Sequence, residues 1–132
     1  MMRRKNLQHG FYDSAIVHVG GNDLQDLYYP ESFSKLTKEI VETGLTCRER
    51  GAETVFICGV TVRRWEYTWE RVRQLNGKLK DMCRENNFIY IDNSNINYVD
   101  HLADDVHLNE DGSKLLANNY LGCLYKAFVS KR

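Results

Sequence analysis

The sequence predicts an α/β domain with a parallel sheet and helices on both faces, and three observations predict it. Short runs rich in β-branched and aromatic residues recur at 14–19, 54–59 and 88–92. Longer segments with apolar residues at helical spacing separate and follow them. Glycine, asparagine or proline stands at most junctions. Strands that alternate with helices favour parallel pairing with helices packed over the sheet.

The first run, "SAIVHV" after Asp13, reads as a buried strand. Pro30 opens a helix, because its fixed φ suits a first turn. Phe33, Leu36, Ile40, Val41 and Leu45 supply the apolar stripe, and Gly51 is placed to end it. "TVFICG", Thr54 to Gly59, is the second strand. A loop with Arg63, Arg64 and Trp65 leads to a helix marked by Trp69, Val72, Leu75, Leu79 and Met82, which ends near Asn86 and Asn87. Gly77 weakens that helix.

"FIYID", Phe88 to Asp92, is the third strand, and the polar stretch from Asn93 to Val106 reads as loop. Asn109 is the N-cap of a last helix, with Glu110 and Asp111 set favourably against its dipole. Leu116, Ala117, Tyr120, Leu121, Leu124 and Phe128 are its expected buried stripe. The order is β-α-β-α-β-loop-α, one domain over residues 1–132.

Bulk properties narrow the function. The 132 residues suffice for one core, with 42% hydrophobic and 27% charged residues. Eighteen basic residues balance eighteen acidic ones, which gives no general attraction to nucleic acid or acidic membranes. The basic group Arg63, Arg64, Arg71 and Arg73 reads as a solvated helix face. No apolar run is long enough to span a bilayer, and the basic start lacks the apolar stretch of a secretory signal. Cys47, Cys58, Cys83 and Cys123 form no C-x-x-C pair. They read as small buried hydrophobes in a reducing compartment, hence a cytoplasmic protein with no structural zinc.

Ligands of open parallel sheets bind beyond the carboxyl ends of the strands. "VHVGGNDL" puts Gly20, Gly21, Asn22 and Asp23 at such an end, and "ADDVHLN" lies just before the last helix. Asp104 and His107, three apart, can meet on one side of a turn. A carboxylate on one ring nitrogen fixes the tautomer and leaves the other nitrogen as a general base. The Asn22 amide can donate to a developing oxyanion. His101, with Asp100, Asp104, Asp105 and His107, does not match metal-site spacings.

These two motifs, in this order and about 80 residues apart, resemble those of the SGNH (GDSL-type) hydrolases. Gly20 to Asp23 match that family's Gly-x-Asn-Asp block, and Asp104 with His107 match its Asp-x-x-His block. The resemblance runs from about Asp13 to Phe128. It implies a flavodoxin-like three-layer α/β/α fold and ester hydrolysis through a serine acyl-enzyme. Asn22 would be an oxyanion donor, His107 the base and Asp104 its orienter. Gly20, Gly21 and Asp23 would line the substrate site, and no cofactor is implied.

The family's Gly-Asp-Ser strand and its second motif precede the Gly-x-Asn-Asp strand. About a dozen residues precede that strand here, and one βαβ crossover needs at least ~10–12. The chain therefore reads as the C-terminal portion of the fold, without its first strands. Ser14 lies at the wrong end of its strand, ~20 Å from the site at ~3.3 Å per residue. Ser94 lies at a carboxyl end but lacks the glycine turn that exposes a nucleophile, and Thr61 reads as a loop residue.

The expectation is an esterase-like domain, feeble or inactive as this chain alone, acting on a small-molecule ester. The alternative is a non-catalytic binding or assembly module that self-associates through an open sheet edge. His18 is expected to tuck against a helix layer, and Trp69 to sit in its helix core. Trp65 is read either as a cover over that core or as a pocket-rim residue.

Overall fold

The structure is a computed structural model that describes residues 14–18, 30–65, 68–104 and 107–130. Its elements are β1 (Ser14–His18), α1 (Pro30–Glu49), β2 (Thr54–Cys58), α2 (Trp69–Asn86), β3 (Ile89–Ile91), α3 (Tyr98–His101) and α4 (Glu110–Ser130). The strands form one parallel sheet in the order β1-β2-β3. Ile16 lies beside Phe56, His18 beside Cys58, and Cys58 beside Ile91. Successive side chains alternate between faces, so this register sorts the sheet into two surfaces.

One surface carries Ala15, Val55 and Ile57 into an apolar cluster with Ile40 and Cys47 of α1 and Val72, Leu75, Leu79, Met82 and Cys83 of α2. Leu75 and Leu79 are almost wholly removed from water. Burying each such side chain contributes about 1.5–3 kcal/mol. At Gly44 a Cβ would lie 2.6 Å from the Phe88 ring, so only glycine lets α1 come this near. α1 stops at Gly51, whose φ of +110° suits glycine. α2 stops at Asn87 in the left-handed region. Arg48 ties the two ends together: it donates to the carbonyls of Asn86 and Asn87 at 2.8 and 2.9 Å, and lies over the Phe88 ring.

The opposite surface carries Phe56, Cys58 and Ile91, all buried, and faces α4. Here the structure corrects several expectations. Leu121 and Phe128 of α4 are 61% and 60% exposed, and Ala117 is exposed as well. The half-buried residues of α4 are Leu115, Leu116, Asn119, Tyr120, Cys123, Leu124 and Ala127. Leu45 is exposed too, since Gly44 and Cys47 take the inward positions of its turn. Cys123 is half-buried, whereas Cys47, Cys58 and Cys83 are buried.

The expected loop from 93 to 106 contains the short helix α3, capped by Asn97, whose side chain accepts from the Asp100 N–H. Arg63 is not part of a solvated face. It is buried, and burial lowers the pKa of its guanidinium from the usual arginine value. Trp69 is half-buried rather than central to the core. Its indole N–H donates to the Arg63 carbonyl at 2.8 Å, and its ring lies 5.2 Å from that of Tyr98. Trp65 is 40% exposed. No helix among the described residues is long and apolar enough to cross a membrane.

Candidate functional site

His107 stands in a tight loop between α3 and α4. Leu102 and Leu108 pair as an isolated antiparallel bridge, and the Ala103 N–H donates to the His107 carbonyl at 2.8 Å. Below the bridge, the Asn109 N–H donates to the His101 carbonyl, and its side chain donates to the Asp100 carbonyl, each at 2.8 Å. The Asn109 oxygen accepts from the Gly112 N–H at 2.8 Å, which is the expected N-cap of α4. Gly112 is required there, because a Cβ would come within 2.3 Å of the His101 carbonyl oxygen.

At the tip of this loop the Asp104 carboxylate accepts from the His107 backbone N–H at 2.7 Å. It also meets His107 Nδ1, with Oδ2 at 2.8 Å and Oδ1 at 3.1 Å. A carboxylate only accepts, so Nδ1 carries a proton and Nε2 is the basic nitrogen of the neutral ring. Both side chains are well exposed. The two side chains thus meet on one side of the turn, as the three-residue spacing allows.

Gly20, Gly21, Asn22 and Asp23 lie outside the described residues. Their strand ends at His18, beside Cys58 of β2, at the carboxyl edge of the sheet. His18 is more engaged than expected. Its Nδ1 lies 2.8 Å from the Tyr120 hydroxyl of α4, and desolvation lowers its pKa, although the residue as a whole is exposed.

His101 is not available to a metal through Nδ1, which accepts from the Asn97 N–H at 2.9 Å. Among the described residues no group of three His, Cys, Asp or Glu side chains is arranged to hold an ion. Ser94 is directed toward Asp92: its N–H donates to that carboxylate at 2.8 Å, and its hydroxyl also holds the Asp92 pKa down.

Sequence reasoning missed the polar residues beneath the site. Asn93 is 2% exposed and joins the end of β2 to α4 through Asn119. The available signal was a carboxamide just beyond the carboxyl end of a strand.

Residues 3–115 match the family model of the GDSL-like lipase/acylhydrolase family. The chain belongs to that family. Solved GDSL-type structures share its fold at low identity. A GDSL-like lipase from Bacteroides thetaiotaomicron aligns with a TM-score of 0.73 at 12% identity, covering 87% of this chain and 63% of its own. A member of the lipolytic G-D-S-L family from Veillonella parvula gives 0.69 at 22%, covering 89% and 70%. Axe2, an acetylxylan esterase from Geobacillus stearothermophilus, gives 0.67 at 15%, covering 84% and 58%. This GDSL-like chain thus spans little more than half the length of the Axe2 chain. No curated protein sequence matches it.

Proposed function

We propose that this GDSL-like domain carries the base and oxyanion half of a serine esterase site. The supporting observation is the Asp104–His107 pair, with Nδ1 held by the carboxylate and Nε2 left for proton transfer. In this reading Nε2 takes the proton of a serine hydroxyl as its oxygen attacks the ester carbonyl. The proton then passes to the departing alkoxide, and the resulting acyl-serine is cleaved by water. Asn22 donates to the oxyanion. It lies four residues past His18, so an extended chain can carry it at most ~14 Å beyond that strand end.

The 132 residues contain no Gly-Asp-Ser tripeptide, and Ser94 is engaged by Asp92. The chain alone therefore hydrolyses activated esters feebly or not at all, and a serine from elsewhere completes the site. The substrate is a small-molecule ester, and a short acyl group such as the acetyl of the Axe2 substrate is the first to try.

The test is hydrolysis of 4-nitrophenyl acetate, together with labelling by a serine-directed fluorophosphonate. The chain alone should stay unlabelled. Extending it with any upstream coding sequence that ends a strand in Gly-Asp-Ser should produce a rate that His107→Ala abolishes. Efficient turnover by the chain alone, dependent on one of its own serines, would refute the divided site.

One observation favours a second reading, an assembly module. Among the described residues β1 pairs on one side only, with β2. Open strand edges recruit further strands, including those of a second copy. Sedimentation in dilute solution tests this, and a monomer at all concentrations counts against it.

A further inference from the structure

α4 carries the His107 loop at its start, yet it is held unlike the helices on the other face. Gly112 is its one buried residue among the described side chains. No α4 residue belongs to the apolar cluster beneath α1 and α2. Amide and hydroxyl groups join α4 to the strand ends. Asn93 Nδ2 donates to the Gly59 carbonyl at 2.8 Å and to the Cys58 sulfur at 3.0 Å, while its Oδ1 accepts from Asn119 Nδ2 at 2.9 Å.

The direction of this joint follows from one atom. The Gly59 oxygen can only accept, so the Asn93 nitrogen must face β2. Its oxygen must then face α4, and Asn119 must answer with nitrogen. Asn119 is held in turn by Asn95, through reciprocal amide bonds of 3.1 and 2.9 Å. Tyr120, the next residue, donates to the Cys58 sulfur at 3.1 Å and meets His18. Removing the Asn119 amide would leave the Asn93 oxygen buried without its donor, a loss that falls on the contact between α4 and the sheet.

We propose that Asn93 and Asn119 are positioning residues, whose amide joint sets where α4, and with it His107, stands against the ends of β1 and β2. The link to His107 is continuous: Asn119 lies on α4, and the first turn of α4 is tied to the dyad loop through Asn109 and Gly112. The catalytic consequence rests on the reading of His107 as a base, but the mechanical claim does not.

Amide hydrogen exchange of the whole chain tests the mechanical claim without turnover. In Asn119→Ala, amides of α4 and of residues 102–109 should lose at least tenfold more protection than those of β2, β3 and α2. Leu124→Ala, which removes a half-buried apolar group from the same helix, should cause a smaller local loss. Asn95→Ala, which spares the buried bond, should leave protection close to wild type. Equal loss across the molecule, or a larger local loss from Leu124→Ala, would overturn the proposal. Where His107-dependent hydrolysis is measurable, Asn119→Ala should lower kcat and leave KM unchanged. Absence of turnover even in the chain extended with a Gly-Asp-Ser strand would count against the esterase reading and leave the exchange result standing.

Discussion

Asp104 grips His107 at two points, the backbone N–H at 2.7 Å and ring Nδ1 at 2.8 Å. One carboxylate thereby fixes both the turn and the tautomer. An asparagine at 104 can offer an N–H to Nδ1, which would move the ring proton to Nε2. Asp104→Asn should invert the neutral tautomer of His107, as read from its ring nitrogen shifts by NMR. Any His107-dependent ester hydrolysis should fall by about 10²–10⁴. An unchanged tautomer would show that the carboxylate does not control the ring.

Gly112 lets the first turn of α4 lie against the His101 carbonyl, where a Cβ would stand at 2.3 Å. Gly112→Ala should destabilise the fold by about 1–3 kcal/mol in urea unfolding, the usual range for overpacking. It should also shift the amide resonances of residues 101–109. Gly77→Ala is the contrast, since nothing lies within 4 Å of its Cβ position. There, helix propensity predicts a gain of up to about 1 kcal/mol.

The cysteines should differ in reactivity. Burial raises the pKa of Cys83 to about 12 and that of Cys58 above the usual thiol value, and both are shielded from solvent. Cys47 is buried as well. Cys123 alone is half-buried. Native protein treated with a thiol-reactive dye at pH 8 should modify Cys123 first, and the other three only on unfolding. Mass mapping of the first adduct decides the point.

His18 gives a pH signature. Burial holds its folded pKa below 6.5. As pH falls below 6.5 the unfolded chain takes up a proton that the native His18 resists, so stability should decline in that window. The exposure of His18 keeps the effect modest. The urea midpoint of wild type should drop more between pH 7.5 and 5.5 than that of His18→Gln. Parallel behaviour of the two proteins would remove His18 as the cause.

The fold was legible because its strands are short β-branched runs and α1 and α2 bear clear apolar stripes. Val72, Leu75, Leu79 and Met82 fell where their spacing put them. The Asp104–His107 pair was legible for a local reason: three residues of separation leave few geometries for a turn. Leu121 and Phe128 misled because periodicity marks which residues share a helix face, not whether anything covers it. Arg63 misled because charge suggests solvent, whereas its side chain is buried in the loop after β2. The joint between Asn93 and Asn119 spans 26 residues, and no local pattern announces it. Gly20 to Asp23 lie outside the described residues, so their motif stands on sequence alone.

The two sides of the sheet differ in what they ask of inheritance. Beneath α1 and α2, many interchangeable aliphatic groups share the task of folding, and no single one is indispensable. On the α4 side, a few amides tie the helix to the strand ends, and one carboxylate holds the His107 loop. Drift at positions 93, 104, 107 or 119 would loosen that joint or that loop and leave the apolar cluster standing. A lineage of such chains would keep its recognisable shape while these few positions varied.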